Sequence, residues 1–448
     1  MVSRLASILF LAAVTLAAAL GAHHFAVVQV HSDSPIDGTV AGLIALLMFF
    51  FLTILAARYL LLLGLAAYAQ SQPAPQPWSS TPDEGEPPFV SIIVPAFNEA
   101  PMIRSVLESL LAIDYPRYEV IVVDDGSSDQ TFLRALPYQS RRADVAIRVL
   151  AKANGGKFDA LNHGIAQARG EIIVCIDGDS IVDRDALRYL VAHFDDPNVG
   201  GVAGNVRVLN RATIWSGLQA LEYVVGLGLA KRAQSAAGAV TIVPGPLGAF
   251  RKTALADVNA YDGDTFAEDF DLTMKLLEVG WHVVYEPRAV VLTEAPERTL
   301  DLLRQRYRWS RGSLQVLAKR RAGMLALRNA PLECLGLWYL GFEALGLPLL
   351  HIAAQLVFIV GGLALGLHEL MLYWWLQLLF LDCATALYCV CVEEEAPRLA
   401  LLAPFFRMFY LIVLDVARLF AAFDELAQVR MSWDKLTRLG RLEPAPAT

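Results

Sequence analysis

The sequence predicts an α/β domain with a mostly parallel sheet, flanked by N- and C-terminal transmembrane helices and by interfacial amphipathic helices. Between residues 89 and 297, short β-branched runs alternate with polar turns and helical periodicities, as in α/β proteins. Long apolar runs lie on both sides, and the chain of 448 residues is 56% hydrophobic but only 18% charged. A soluble enzyme carries about a quarter charged residues, so lipid solvates part of this chain.

The N-terminal region, 1–69, is expected to form two transmembrane helices. An apolar run at 5–20 ends in small residues, so a cleaved signal peptide is the alternative there. The second run, 40–57, is long enough to span a bilayer; it stops at Arg58 and resumes at once. A linker rich in Pro, Ser and acidic residues follows at 70–88.

After the α/β domain, the sequence becomes basic and amphipathic and then apolar. We expect interfacial helices over 298–345, because such a pattern is suited to a membrane surface. A break at Pro348 should separate them from a C-terminal transmembrane region over 346–425, with a tail at 426–448. Whether the last apolar run crosses fully or bends at its charged residues stays open.

Charge asymmetry predicts the orientation of the chain. Of 37 Lys and Arg residues, 28 lie between Phe89 and Arg328, while the loops 21–39 and 362–372 carry none. Positive residues stay on the cytoplasmic side, so the α/β domain is expected in the cytosol of a multi-pass protein of a bacterial-type inner membrane. The net charge of −8 argues against a nucleic-acid partner.

Polar residues follow the first two predicted strands. The first ends in Ala96-Phe97-Asn98-Glu99, and the second runs into Asp124-Asp125. Ligands of open α/β sheets bind at the carboxyl ends of strands, so we interpret both aspartates as binding residues. The next polar residues, Ser127, Ser128 and Asp129, are typical of caps and turns.

A third strand, Ile172–Ile176, ends in Asp177-Gly178-Asp179. Two carboxylates one residue apart at a strand end can face one divalent cation. Oxygen ligands of this kind suit Mg²⁺ or Mn²⁺ bound together with substrate phosphates.

Two further segments carry candidate chemistry. An acidic cluster, Glu268-Asp269-Phe270-Asp271, opens a helix; its carboxylates could complement the helix dipole, which suffices for Asp271, or supply a general base. Downstream, Gln305–Gly312 lies on the basic amphipathic helix. Its Trp and Arg residues (Arg306, Arg308, Trp309 and Arg311) are either interface anchors or a means of stabilising departing negative charge.

Five elements have now been described: the ends of the first two strands, the Asp177-Gly178-Asp179 segment, the acidic cluster and the Gln305–Gly312 segment. In this order they resemble the membrane-bound family 2 glycosyltransferases, which synthesise cellulose, chitin, hyaluronan and poly-β-1,6-N-acetylglucosamine. The stretch Ala267–Gly312 looks most like the poly-N-acetylglucosamine synthases, whereas Val243–Gly248 is similar to the S-G-P-L-G segment of hyaluronan synthases. The polymer therefore stays open. The resemblance implies a GT-A fold, that of nucleotide-diphospho-sugar transferases.

The resemblance also implies roles for individual residues. Contacts to a UDP-sugar are implied for Ala96, Phe97, Glu99, Asp125, Lys157, Asp177, Gln305 and Arg308. Contacts to the acceptor are implied for Trp309, Gly245 and Pro246, metal ligation for Asp179 and Asp177, and catalysis for Asp269 as the base with Glu268 beside it. Two positions depart from the family pattern: Ala267 replaces the usual Thr, and Phe97 stands where Tyr is frequent.

The expected activity is inverting, metal-dependent transfer from a UDP-sugar, with UDP-N-acetylglucosamine favoured, to the growing end of a β-linked exopolysaccharide that passes through the spans. The alternatives are single addition to a lipid carrier, a glucan, hyaluronan or chitin synthase, and a transporter or scaffold with an inactive α/β domain. Expected partners are the donor, the polysaccharide acceptor, the lipid membrane and a small membrane subunit.

Three ionisable residues in the last apolar run share one helix face by their spacing. They are Arg407, Asp415 and Arg418. One interpretation is a local ion pair between Asp415 and Arg418; the other is that this face lines the passage of the polymer.

Overall fold

A computed structural model describes residues 38–78, 86–139, 145–360 and 368–429. The predicted apolar run at 5–20 lies outside these residues, as do most of the two loops used to predict orientation and most of the tail.

The α/β prediction is confirmed by an eight-stranded sheet. The strands are β1 Val90–Ala96, β2 Tyr118–Asp124, β3 Ala146–Ala151, β4 Ile172–Cys175, β5 Ser180–Val182, β6 Val199–Val208, β7 Gly248–Arg251 and β8 His282–Thr293. Their order is β3-β2-β1-β4-β7-β6-β8-β5. The first four strands in this order are mutually parallel, β7 is antiparallel to both of its neighbours, and β8 is parallel to β6. The chain leaves β1 on one side for β2 and β3 and returns on the other side as β4, so a crevice forms at these carboxyl ends.

The helices cover both faces of this sheet and form an apolar bundle beside it. They are α1 Gly38–Ser71, α2 Ile103–Leu111, α3 Thr131–Ala135, α4 Lys157–Gln167, α5 Ala186–Val191, α6 Ile214–Glu222, α7 Leu229–Ser235, α8 Lys252–Asp257, α9 Glu268–Glu278, α10 Thr299–Lys319, α11 Pro331–Gly341, α12 Leu347–Ile359, α13 His368–Val392, α14 Ala403–Phe405 and α15 Leu411–Leu426. Wider π-helical turns join α6 to α7 (Tyr223–Gly228), α11 to α12 (Phe342–Gly346) and α14 to α15 (Phe406–Tyr410).

Alternate residues of β1 belong to two different cores. Ile92 packs in the cluster that contains Leu107 of α2, whereas Ile93 packs in the cluster that contains Leu161 of α4. Both faces of the sheet are therefore buried, which explains why its central strands read as continuous apolar runs.

Among the residues that the structure describes, four helical runs are long and apolar enough to cross a membrane. They are Gly42–Ser71, Pro331–Ile359, Met371–Val392 and Pro397–Leu426. The first continues through Arg58, where the apolar run of the sequence is interrupted, and the Nε of Arg58 lies 2.7 Å from the Glu343 carboxylate. The partner compensates the charge, so the helix need not end there.

The expected break at Pro348 is wrong. The helical run Pro331–Ile359 is continuous, and Pro348 is the second residue of α12, directly after the π-helical turn. Proline has no backbone N–H group to donate. Near the start of a helical segment, directly after a wide turn, this N–H group is not required, so the proline is tolerated. Consequently, the interfacial helices predicted up to residue 345 and the following span form one element.

The last apolar run also continues past its charged residues, because each of them is paired. Arg407, in a π-helical turn, is ion-paired with Asp382 of α13. Asp415 lies 3.0 Å from the Nδ1 atom of His351 and 3.2 Å from Arg418, so the predicted local ion pair is present. Arg407 and Asp415 also line one cavity of about 300 Å³ between α1, α12, α13 and α15.

A turn after α13 ties the helix bundle to the sheet. Glu393 accepts hydrogen bonds from Arg232 of α7 at 2.6 Å and from Asn205 of β6 at 3.1 Å. Two residues on, Glu395 accepts a bidentate pair from Arg211 at 2.6 and 2.9 Å. We call residues 393–395 the acidic turn; it fixes the bundle to the α/β domain through charge-assisted hydrogen bonds.

Candidate active site

Asp269 occupies the second position of α9 and faces the loop before β7. Its Oδ2 accepts a hydrogen bond from the Gly245 backbone N–H at 3.2 Å, and its Oδ1 accepts one from the Phe270 N–H at 2.8 Å. Burial and the neighbouring Glu268 charge raise the pKa of Asp269 to about 6, against the opposing charge of Lys157. A carboxylate with this pKa suits a general base near neutral pH.

Lys157, the first residue of α4, joins the other acidic groups to this base. Its Nζ lies 2.6 Å from Asp177 Oδ1 and 3.3 Å from Glu268 Oε1. Gly245 packs directly over this ion pair, because a Cβ at 245 would lie only 2.5 Å from the Lys157 ammonium. The structure thus brings together five of the predicted residues, Lys157, Asp177, Gly245, Glu268 and Asp269.

The carboxylates at the end of β4 fit a divalent cation. Burial raises the pKa of Asp177, and the charge of Asp179 adds to this effect, although Lys157 opposes it. The Lys157 ammonium is ion-paired with Asp177 and Glu268, and the negative charges of Asp179 and Asp269 act on this group of residues. The surplus negative charge and the oxygen ligands suit Mg²⁺ or Mn²⁺, with Asp177 and Asp179 as the predicted ligands.

A second acidic cluster lies nearby but already holds a cation. Oxygen atoms of Asp262, Asp264 and Asp271 lie within 4.8 Å of one another. The Lys319 ammonium is 2.9, 2.7 and 2.8 Å from these three residues, and Arg320 also binds Asp271 at 2.7 Å. Asp271 therefore anchors α10 to α9. The sequence predicted only that its charge complements the helix dipole.

The loop after β1 contacts the end of β4. Gly178 lies against the Pro95 carbonyl and the Glu99 side chain, which an added Cβ would approach to 2.9 and 3.3 Å. Ala96 lies at the same edge of the sheet, and its carbonyl accepts a hydrogen bond from the Asp125 N–H at 2.8 Å. Phe97 is partly exposed beside them. The predicted nucleotide contacts thus share one rim of the crevice.

Asp125 is engaged by its own surroundings. Its carboxylate accepts hydrogen bonds from Lys152 at 2.7 Å and from the N–H groups of Gly155 and Gly156 at 3.0 and 2.8 Å. This network shapes the loop that leads into Lys157. Contact between Asp125 and a nucleotide stays a prediction.

The neighbouring polar residues build turns. Asp124, which we had interpreted as a binding residue, accepts a hydrogen bond from the Ser127 N–H at 3.2 Å and stabilises the turn after β2. Asp129 accepts hydrogen bonds from the N–H groups of Ala100 and Thr131 at 3.1 and 2.9 Å. Asp129 therefore has the turn-forming role that the sequence predicted. A binding role for Asp124 stays a prediction, and within the described residues its Oδ1 atom accepts no hydrogen bond.

The helix α10 packs directly against the residue before α9, with no large side chain between them. A Cβ at Gly312 would lie 2.7 Å from the Ala267 Cβ, and Gln315 Oε1 accepts a hydrogen bond from the Phe266 N–H at 3.0 Å. Ala267 immediately precedes Glu268 and Asp269. The C-terminal end of the Gln305–Gly312 segment is therefore placed close to the start of α9.

Two arginines of α10 have structural partners instead of the predicted diphosphate. Arg306 is ion-paired with Glu222 and stacks on Trp309, with 4.3 Å between its guanidinium carbon and the ring centroid. Arg311 donates to Glu425 of α15 at 2.9 Å. Because these charges are compensated, α10 packs against the apolar bundle. Arg308 is partly exposed, and its contact with the donor stays a prediction.

The other two residues of the predicted motif differ in exposure. Gln305 is buried, and its Oε1 accepts a hydrogen bond from Arg306 at 2.6 Å, so it orders the helix from within. Trp309 is 38% exposed and presents its indole for the predicted acceptor contact. Pro246, next to Gly245, is partly buried at the edge of the site.

One buried basic residue was not predicted from the sequence. Lys231 of α7 is buried, and the negative charge of Asp269 acts on it. The signal was a Lys-Arg pair in a stretch of small and apolar residues, Val224–Ala233. Basic residues in such a stretch are expensive to bury and mark a partner or a site.

The fold and the acidic crevice define the class of protein: a GT-A sugar transferase domain joined to an apolar helix bundle. A family model described as glycosyltransferase like family 2 matches residues 87–312, about half of the chain. The chain belongs to glycosyltransferase family 2.

Curated relatives point within that family. The chain is 36% identical over 247 residues to poly-β-1,6-N-acetyl-D-glucosamine synthase of Staphylococcus aureus (strain COL), covering 55% of this chain and 60% of the relative. The same enzyme of Staphylococcus epidermidis is 36% identical over 231 residues, covering 51% and 56%. The match thus spans less than two thirds of these relatives.

A solved structure supports the fold alone. A mannosyltransferase from Pyrobaculum calidifontis, in complex with GDP-Man and Mn²⁺, superposes with a TM-score of 0.58 and 24% identity. The match covers 86% of this chain and 100% of the mannosyltransferase.

Proposed function

We propose that this chain is a membrane-integrated, inverting glycosyltransferase that extends a β-linked polysaccharide from a cytosolic UDP-sugar. UDP-N-acetylglucosamine is the favoured donor, because the similar synthases of Staphylococcus make poly-β-1,6-N-acetyl-D-glucosamine. The growing polymer leaves through the apolar helix bundle, and the chain resides in an inner membrane with its sheet domain in the cytosol.

One observation carries this proposal. Asp269 lies in a crevice with Lys157, Asp177 and Glu268, and its pKa is raised to about 6. Such a carboxylate can accept a proton, while Asp177 and Asp179 would hold a divalent cation against the negatively charged diphosphate of the donor. The intact acidic residues argue against a scaffold with an inactive domain.

The reaction is a single in-line displacement. Asp269 accepts the proton of the acceptor hydroxyl, which attacks the anomeric carbon of the donor and inverts its configuration. Lys157 and Arg308 place positive charge beside the departing diphosphate. A divalent cation held by Asp177 and Asp179 would neutralise charge on the same diphosphate. Trp309 offers a flat apolar surface to the acceptor sugar.

The proposal of membrane integration is supported by the four apolar helical runs and by the ionisable residues that these helices place in the interior of the bundle. Arg407 and Asp415 line a common cavity between helices, and each has a partner on another helix. Ionisable groups at such depth face a bundle interior or a polar conduit. This face is our candidate for the polymer passage.

The decisive experiment supplies purified protein in lipid vesicles with each UDP-sugar in turn, with Mg²⁺, Mn²⁺ or a chelator. We expect metal-dependent release of UDP and a polymer that is protected inside inverted vesicles. Linkage analysis identifies the polymer. Production of a single-sugar lipid would establish the lipid-carrier alternative, and the absence of transfer from every donor would refute the proposal.

A further inference from the structure

The turn between α10 and α11 exposes leucine side chains instead of burying them. Leu325 is 86% exposed and Leu327 is 57% exposed. Leu335 and Trp338, which share one face of α11 by their spacing, are 59% and 57% exposed. A contiguous apolar surface of this kind marks a site of interaction with a protein or a membrane. We call residues 321–328 the leucine turn.

The leucine turn is fixed in place by its contacts with α11. The carbonyl oxygen of Met324 accepts hydrogen bonds from the Trp338 indole N–H at 2.9 Å and from the Cys334 thiol at 3.2 Å. Arg320, directly before the turn, donates to Glu333 at 3.2 Å. The leucines are therefore held outward by an ordered backbone, next to the exposed face of α11.

Two arginines border the exposed leucines. Arg321 and Arg328 are exposed, and within the part of the chain that the structure describes neither of them makes an ion pair or a side-chain hydrogen bond. The neighbouring Arg320 differs, because Asp271, Glu278 and Glu333 compensate its charge. The leucine turn therefore combines two uncompensated positive charges with an apolar surface, a combination that fits an anionic lipid surface.

The length of the next helical run indicates which part of the membrane lies at this turn. The run Pro331–Ile359 has 29 residues, so it is about 43 Å long, whereas the hydrocarbon core of a bilayer is about 30 Å thick. Near the start of this run, Gly336 packs against Thr241 and Met274 of the sheet domain, which a Cβ at 336 would approach to 3.1 and 3.6 Å. The excess length therefore lies at this end, and the leucine turn is at the level of the lipid headgroups.

We propose that the leucine turn and the exposed face of α11 bind the leaflet on the side of the sheet domain, with Arg321 and Arg328 bound to the phosphate groups of anionic lipids. This inference rests on the membrane integration in the proposed function and not on the sugar that is transferred. The side chains of Leu325 and Leu327 enter the boundary between headgroups and acyl chains. Each guanidinium can bind a phosphate through two parallel hydrogen bonds.

The test compares how two lipids stabilise the full chain in a neutral detergent. Phosphatidylglycerol should raise the melting temperature at a lower mole fraction than phosphatidylcholine. The double variant Arg321→Gln and Arg328→Gln should need more phosphatidylglycerol for the half-maximal shift, by about fivefold for each arginine, and should respond to phosphatidylcholine as before. Without lipid its melting temperature should be unchanged, because both side chains are exposed.

The leucines and two control positions separate the apolar contribution from the charge. Leu325→Ser with Leu327→Ser should weaken stabilisation by both lipids, because insertion of apolar side chains does not depend on the headgroup charge. Arg104→Gln of α2 is the control for charge, since Arg104 is also exposed and without an ion pair among the described residues. Leu133→Ser of α3, where the leucine is 65% exposed, is the apolar control. Both controls should respond to each lipid as the unmodified protein does.

Several results would overturn the inference. Equal stabilisation by the two lipids would do so, as would an unchanged response of the double arginine variant. Stabilisation by inorganic phosphate equal to that by phosphatidylglycerol would assign the arginines to a free anion. Loss of a dimer in the leucine variant, measured by light scattering, would assign the surface to a second copy of the chain. A chain that stays soluble without detergent refutes membrane integration itself, whereas a chain that needs detergent but lacks lipid selectivity refutes this inference alone.

Discussion

Gly312 packs against Ala267 so closely that a Cβ at 312 would lie 2.7 Å from the Ala267 Cβ and 2.9 Å from its backbone nitrogen. Ala267 precedes Asp269 by two residues, so this contact fixes the position of α10 relative to the base. No flexible side chain lies between the two helices here, so the backbone of one positions the backbone of the other.

Gly312→Ala should therefore destabilise the protein and reduce transfer. Forcing a methyl group against backbone atoms typically costs about 1–3 kcal/mol. Thermal unfolding and UDP release measure the two effects. In Gly64→Ala of α1 the added Cβ would meet nothing within 4 Å, so this variant should behave as the unmodified protein. Equal melting curves for the two variants would refute the tight contact.

Asp269→Asn should abolish transfer and leave UDP binding nearly intact. The amide has almost the same shape but cannot accept the proton, and a positioned general base contributes about 10²–10⁴-fold. Turnover and calorimetric UDP binding are the measurements. The assignment of the base would be wrong if the variant kept more than roughly a tenth of the original turnover.

The pH dependence of transfer should have an acidic limb near pH 6. The pKa of Asp269 is raised to about 6, so the active, deprotonated form predominates above that pH and is lost below it. Glu268→Gln removes a negative charge that raises this pKa, so the limb should move to lower pH. A limb that stays in place in the variant would exclude Asp269 as its origin.

Asp179→Ala should weaken the metal-dependent part of UDP binding. A divalent cation joins the diphosphate to the protein through carboxylate oxygens, so losing one ligand weakens the ternary complex. Calorimetry with UDP, with and without Mn²⁺, measures the difference. Asp264→Ala, in the cluster already filled by Lys319, is the control and should leave metal-enhanced affinity unchanged. The reverse pattern would move the metal to that cluster.

Arg407→Leu should destabilise the bundle more than the double variant with Asp382→Leu. The single change leaves the buried Asp382 carboxylate without its ion-pair partner, which typically costs about 3–5 kcal/mol, whereas two apolar residues leave no charge. Thermal unfolding in detergent compares them. If the double variant folds but secretes shorter polymer, the cavity serves transport; polymer of normal length would assign the pair to stability alone.

Much of the fold was predictable because its signals are local. The runs at β1, β2 and β4 combine apolar β-branched residues with polar strand ends, and parallel strands place those ends together. Hence Asp125 and Asp177, far apart in the sequence, could be assigned to one edge of the sheet, whereas the roles of Lys157 and Asp269 were implied by the resemblance to family 2 glycosyltransferases.

Other features depend on partners that are remote in sequence. Arg58 interrupts an apolar run, and the residue that compensates its charge, Glu343, lies 285 positions away in the sequence. Arg306 and Arg311 resemble phosphate ligands until Glu222 and Glu425 occupy them. A local sequence pattern shows that a charged residue lies in a segment where burial is unfavourable. The partner that compensates this charge is seen only in the structure.

The acidic turn has a practical consequence for work with fragments. A fragment that ends before residue 393 loses Glu393 and Glu395, so Arg232 and Arg211 lose the carboxylates that hold them. The same cut removes the α15 residues that bind α10. The transferase domain and the helix bundle therefore depend on each other for charge compensation, and an excised domain would carry two arginines without their carboxylate partners.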